Sequence, residues 1–97
     1  MTETKPRKPR LAGIDIQDTE ANRAVVEGIL EDNPGANVDN MPGLVRIRRE
    51  GGLHITKETV EKHVGAEWDT SDIQLAIVSM SGNLEIEEDY IDIAGKR

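Results

Sequence analysis

The chain has almost nothing aromatic to build with. Phenylalanine is absent, and Trp68 and Tyr90 are the only aromatic residues among 97. Cysteine is absent as well. The core must therefore be aliphatic, made of Val, Ile, Leu and Ala, and a chain of this length builds one such core at most. Without thiols there are no disulfides, thiolate nucleophiles, iron–sulfur ligands or thiolate zinc sites.

The spacing of the aliphatic residues organises the chain. Ile14 and Ile16 alternate with polar neighbours and predict a short first strand. Asp18-Thr19 then offers an N-cap, and Val25, Val26, Ile29 and Leu30 recur at helical spacing, with Arg23 and Glu27 as an i,i+4 ion pair. This main helix, over 20–32, is ended by Asn33-Pro34-Gly35. Glu31 and Asp32 fall in its last turn, where the macrodipole disfavours an acid by roughly 0.3–1 kcal/mol; they are expected only to add to a negative surface. A second strand surrounds Val38, and Met41-Pro42-Gly43 has type II turn chemistry. A third strand over 44–49 puts Val45 and Ile47 on one face and Arg46 and Arg48 on the other, and Gly51-Gly52 breaks it. Thr56 caps a second helix, with Ile55 and Val60 as its hydrophobic staple and Gly65 past its end. A fourth strand is predicted over 73–80, with Ile73, Leu75 and Ile77 on one face and Ala76, Val78 and Met80 on the other. Ser81-Gly82-Asn83 turns the chain. Leu84 and Ile86 form a fifth strand, Glu87-Glu88-Asp89 an acidic turn, and Ile91 and Ile93 the last strand. The order β-α-β-β-α-β-β-β indicates an α+β domain over 13–97, with two helices on largely antiparallel sheet layers. Residues 1–12, with Pro6 and Pro9 among basic side chains, read as a flexible basic tail.

Charge narrows the partners. The net charge is −7, but Lys5, Arg7, Lys8 and Arg10 stand against Glu3 alone in the first ten residues, so the rest carries −10. A body this acidic repels phosphates and anionic lipid, so neither nucleic acid nor a membrane surface is expected as a partner. No apolar run has the length of a spanning helix, and no apolar stretch follows the N-terminal basic residues as a signal peptide requires; a cytoplasmic protein is expected.

The catalytic inventory is thin. His54 and His63 are the only imidazoles, and no spacing makes them ligands of one ion. Glu61-Lys62-His63 has the wrong interval for a helical carboxylate–histidine iron motif. Glu85, Glu87, Glu88, Asp89 and Asp92 lack calcium-loop spacing and read as a solvated face. Gly51-Gly52 and Gly82 form no phosphate loop, and Ser71-Asp72 has its acid on the wrong side for an acyl-carrier site. No catalytic, cofactor-binding or metal-binding residue is predicted. What stands out is Met80, an adaptable contact residue beside small neighbours at Ser79, Ser81 and Gly82. By spacing alone, Val78 and Met80 are equally readable as ordinary core followed by a polar turn.

Several segments, in order, resemble one family. Asn33-Pro34-Gly35, Val38-Asp39 and Met41-Pro42-Gly43-Leu44-Val45-Arg46-Ile47 are similar to the Asn-Pro…Val-Asp…Pro-Gly…Arg-Ile pattern of the small regulatory proteins of soluble di-iron multicomponent monooxygenases. These include the effectors of phenol hydroxylase, toluene monooxygenase and soluble methane monooxygenase. Leu53, Ile55, Thr56, Val60 and Val64-Gly65 look like the family's second helix. Ile73 to Gly82 is similar to its long strand ending in Ser-x-x-Gly, and Glu87-Glu88-Asp89 to its acidic segment. The likeness covers about residues 13–93. The family often has Phe where this chain has Met80, and aromatics in a final strand that here holds Tyr90 and aliphatics; the basic tail is not a general family feature. The resemblance implies two small sheets with two helices and no prosthetic group or catalysis of its own. It implies docking on the di-iron hydroxylase component, alongside a reductase, to tune substrate access, oxygen activation and coupling of NADH use. It centres the partner-binding surface on Val78, Ser79, Met80, Ser81, Gly82 and Asn83. The competing class is a small-molecule-sensing α+β domain, usually dimeric; a hydrolase or isomerase is disfavoured by the histidine and cysteine counts.

Overall fold

Alternating and helical aliphatic spacings become seven strands and three helices over residues 11–95, which the computed structural model describes. The strands are β1 (Leu11–Gln17), β2 (Asn37–Met41), β3 (Leu44–Glu50), β4 (Gly52–Thr56), β5 (Ile77–Ser81), β6 (Asn83–Ile86) and β7 (Tyr90–Ala94). The helices are α1 (Glu20–Asp32), α2 (Lys57–Val64) and the single turn α3 (Ile73–Ala76), which a 3-10 turn at Thr70–Asp72 precedes. The expected tail lies outside the described residues as far as residue 10. Leu11 and Ala12, assigned to it above, open β1, and Ala12 is fully buried.

Two antiparallel sheets result, one in the order β2-β3-β1-β5 and one in the order β4-β7-β6. The core is aliphatic, as the composition requires. Ile14, Ile16 and Ile47 of the first sheet meet Ile55, Ile91 and Ile93 of the second, with Ile29 and Val60 from the helices and Ile73 from α3. Trp68 packs only at its margin. Local signals end the elements where expected. The Thr19 hydroxyl accepts from the Asn22 N–H at 3.1 Å to cap α1, and Thr56 caps α2 through the Thr59 N–H at 3.3 Å. Pro42-Gly43 joins β2 to β3 with Gly43 at φ +82°, the positive value that a type II turn needs.

Two strand assignments need correction. Gly51-Gly52 does not lead straight to the second helix: Gly52–Thr56 forms a further strand, β4, and the chain passes there from the first sheet to the second. The predicted strand over 73–80 begins only at Ile77. The Asp69 carboxylate accepts from the Ser71 N–H at 3.0 Å and from its hydroxyl at 2.6 Å, starting helical turns. Ile73 and Ala76, three residues apart, are then both buried on one helical face.

The acids at the end of α1 are structural. The Asp32 carboxylate accepts from the Thr56 N–H at 2.7 Å and hydroxyl at 2.9 Å, and from the Thr59 hydroxyl at 2.9 Å. It thus sits at the N-terminus of α2, where negative charge is favoured. Glu31 receives Lys62 at 2.5 Å and lies 2.7 Å from His63 Nε2, while Glu27, expected to pair with Arg23, lies 3.4 Å from His63 Nδ1. Asn33, 2 % exposed, donates to the His54 carbonyl at 2.8 Å and accepts from its N–H at 2.9 Å. Its amide stands in for a neighbouring strand on the edge of β4. Asn33→Ala is therefore expected to cost about 2–4 kcal/mol, since two backbone groups of His54 lose their partner. A lower denaturant midpoint at unchanged slope checks this.

Candidate docking surface

β5 and β6 are edge strands of different sheets, and Gly82 joins them. Residues 77–86 thus run along one edge of each sheet. An edge strand presents backbone donors and acceptors with no ladder partner. Gly82, at φ +127°, lets the chain cross from one edge to the other against β7; a Cβ there would strike the Ala94 carbonyl oxygen and come within 3.0 Å of Ile93 Cγ2.

The six residues singled out above fall on this run with different orientations. The β1–β5 pairing steps from Asp15↔Ser79 to Ile16↔Ile77, so Val78 is left over as a bulge, 56 % exposed. Met80 lies opposite Ile14 and packs, partly buried, against the core. Ser79 and Ser81, opposite Asp15 and Gly13, share the face of the sheet turned from the core. Asn83 is exposed beside Ala94.

Leu75 was missed as a surface residue. Read as a strand, 73–80 aligns it with Ile73 and Ile77. In the helical turn of α3 it points away from both and is 82 % exposed, the most exposed of the large apolar side chains described. The Asp69/Ser71 cap and the Ile73–Ala76 interval were the signals for it. Leu75 borders a cleft of about 230 Å³ whose lining includes Val25, Val64, Trp68 and Ala76.

On the face of the first sheet turned from the core, Arg46 forks onto Asp15, Nε to Oδ1 at 3.0 Å and a terminal nitrogen to Oδ2 at 3.2 Å. The Ser79 hydroxyl donates to Oδ2 at 2.7 Å. The Arg46 hydrogen bonds hold the Asp15 carboxyl below the usual carboxylate range against the opposing effect of burial, and Ser79 and the charges of Arg46 and Arg48 add to the lowering.

The second sheet's outer face is acidic. His54 pairs with Asp92 beside Tyr90, and Glu85 lies across β7 from His54. Glu87 holds the Glu85 carboxyl above the usual range, first through a hydrogen bond that needs a proton and then by its charge; burial and Asp92 push the same way. A carboxyl raised on folding destabilises the fold at neutral pH, and the loss vanishes once pH falls below the unfolded-state pKa. Glu85→Gln is thus expected to raise the melting temperature at pH 7 and to leave it unchanged near pH 3; a drop at pH 7 would contradict the arrangement. Among the described residues no group of three or more His, Cys, Asp or Glu is placed to hold a metal ion, and no helix is long and apolar enough to cross a membrane. The two most exposed large apolar side chains among the described residues, Leu75 in α3 and Val78 in β5, adjoin the edge run of residues 77–86 and give it a capacity for recognition.

Residues 10–94 match the MmoB/DmpM family. The chain belongs to that family. It is 38 % identical over 79 residues to the stimulatory component DmpM of phenol 2-monooxygenase from Pseudomonas sp. (strain CF600), covering 81 % of this chain and 88 % of that one. A chain in a solved phenol hydroxylase–regulatory protein complex is 31 % identical with a TM-score of 0.83, over 89 % of this chain and 99 % of that one. A second such structure gives 34 % identity and a TM-score of 0.75, over 84 % and 95 % of the respective chains. The soluble methane monooxygenase regulatory protein B, at 15 % identity, shares the fold, with a TM-score of 0.72 over 97 % of this chain and 71 % of that one. These relatives are named stimulatory or regulatory components of monooxygenases, not catalytic subunits. The resemblance read from the ordered Asn-Pro, Pro-Gly and Arg-Ile segments therefore holds, and the sensing-domain alternative is not favoured.

Proposed function

We propose that this MmoB/DmpM chain is the cofactor-free regulatory component of a multicomponent monooxygenase of the phenol hydroxylase kind. It binds the di-iron hydroxylase component, works alongside the reductase, and tunes substrate access, oxygen activation and the coupling of NADH use to hydroxylation. The surface we assign to docking is centred on Val78, Ser79, Met80, Ser81, Gly82 and Asn83 and extends to Leu75.

The observation that carries the reading is the exposure of Val78 on an edge strand and of Leu75 in the turn before it, in a chain similar to one in a solved phenol hydroxylase–regulatory protein complex. Large apolar side chains left in water beside unpaired backbone mark an interface, because burial against a partner recovers their hydration cost. Met80 contributes by filling the space beneath the edge. A component of this kind acts through binding alone: its contacts favour one conformation of the hydroxylase over another by their differential affinity.

The test measures product formed and NADH consumed by a matched hydroxylase and reductase, with and without this protein. Product per NADH should rise with its concentration and saturate. Unchanged rate and unchanged coupling at saturation would remove the proposal.

A further inference from the structure

We infer that Asp15 and Arg46 are positioning residues for the docking strand: they fix Ser79, and through it the bulge that presents Val78 to the hydroxylase. This deepens the docking assignment above and rests on it.

Asp15 is 7 % exposed, a charged side chain in an inner strand on the face turned from the core. Holding strands together does not require such a group. Apolar side chains of similar volume do that equally well or better, because a buried ion pair gives up the hydration of both charges. What the ion pair adds is discrimination between registers. Arg46 of β3 takes both Asp15 oxygens, and Ser79 of β5 donates to one of them, so a single carboxylate ties three strands at one row.

That row is where the β1–β5 ladder loses its register. Asp15 faces Ser79, the next pair is Ile16↔Ile77, and Val78 is left unpaired. A slip of β5 by one residue would exchange its two faces, turning Ser79 and Ser81 toward the core and Met80 outward. The small side chains of Ser79 and Ser81 do little by themselves to resist it. In either slipped register the Asp15 side chain would meet that of Val78 or Met80, and neither side chain carries a hydrogen-bond donor. A buried carboxylate oxygen would then lose its β5 donor, a penalty that falls on the wrong register alone. Arg46 supplies the other half of the device. Its guanidinium lowers the Asp15 carboxyl below the usual carboxylate range and, by taking both oxygens, fixes the carboxylate beside β5.

The test replaces the ion pair with an apolar one, Asp15→Leu with Arg46→Met, in the full chain. Melting temperature is read on the free protein. Activation is read as the protein concentration that half-saturates product formation by a matched hydroxylase and reductase. The melting temperature should stay within a few degrees of the parent, while half-saturation moves to about tenfold higher concentration. Amide hydrogen exchange should quicken over Ile77–Ser81 and not in β4, β6 or β7. Normal half-saturation with normal melting would overturn the assignment, because the pair would then only fill space. If the double variant does not fold, Ser79→Ala and Ser79→Thr decide in the free protein. Faster β5 exchange in the alanine variant, restored in the threonine variant, supports the role; equal exchange in all three overturns it. Val78→Asp separates this inference from the reading beneath it. Unchanged activation with Val78→Asp would sink the docking assignment and this role with it. Weakened activation with Val78→Asp, beside normal activation with the apolar pair, would sink the positioning role alone.

Discussion

Gly82→Ala is expected to lower stability by about 3–5 kcal/mol, and the melting temperature by on the order of 15 °C or more. Two effects add. At φ +127° any Cβ strains the backbone, by about 1–3 kcal/mol. The new methyl would also meet the Ala94 carbonyl oxygen and Ile93 Cγ2. Moving a strand backbone aside costs about as much as overpacking a core, roughly 1–3 kcal/mol. Gly43→Ala is the comparison. Its φ is +82°, but nothing lies within 4 Å of its Cβ position. It should lose only the conformational part, about 1–2 kcal/mol. Thermal and denaturant unfolding of the two variants check this. Equal losses would mean that the approach of Gly82 to β7 does not limit the fold. The total at stake is a large fraction of the roughly 5–15 kcal/mol by which a domain is stable.

The second large effect is on activation. Leu75→Asp and Val78→Asp should each raise the half-saturating concentration for a matched hydroxylase about thirtyfold, the equivalent of a loss of about 2 kcal/mol at an apolar hot spot. Neither side chain contributes much to the core, at 82 % and 56 % exposure. Folding stability should therefore change by no more than about 0.5 kcal/mol for Leu75, and slightly more for Val78 because it sits in a bulge. Activation titrations and melting curves on the same preparations separate the two quantities. If Leu75→Asp activates normally while Val78→Asp does not, the interface is confined to β5 and β6. If both activate normally, docking lies elsewhere on the molecule. Met80→Ala should behave in the opposite way to Leu75→Asp, losing about 1–2 kcal/mol of stability, because Met80 packs opposite Ile14 on the margin of the core.

Leu75 illustrates how the candidate surface was only partly legible. The alternation of Ile73, Leu75 and Ile77 is real in the sequence and fits a strand. Ile73 and Ala76 fit a helical turn equally well, and short apolar runs do not separate the two by periodicity. The Asp69–Ser71 hydrogen bonds decide for the helix, and Leu75 leaves the face it was expected to share with Ile73 and Ile77 and is exposed. Val78, Ser79, Met80 and Ser81 were placed on a strand end, which β5 is, but Val78 and Met80 were expected to share a face opposite Ile77, whereas Met80 packs on the core with Ile77 and Val78 is exposed. The bulge at Val78 depends on pairing with Asp15 and Ile16, more than sixty residues away in the chain.

The sequence by itself determined what neighbouring residues settle among themselves. Thr19 and Asn33 bound α1, Thr56 starts α2, Pro42-Gly43 turns β2 into β3, and the absence of phenylalanine makes the core aliphatic. Each depends on contacts within a turn or on composition, so local physics is enough. Only the tertiary structure decided the rest. It divided the strands between two sheets, drew β4 out of the segment after Gly51-Gly52, and gave Asp32 and Asn33 their partners on α2 and β4. It also brought Arg46, Asp15 and Ser79 into one row, across 31 and 64 residues of chain. The reason is that a side chain's partner across a sheet follows from which strands become neighbours and in what register. That choice is made by the whole core at once, since each strand buries its aliphatic face only against the others.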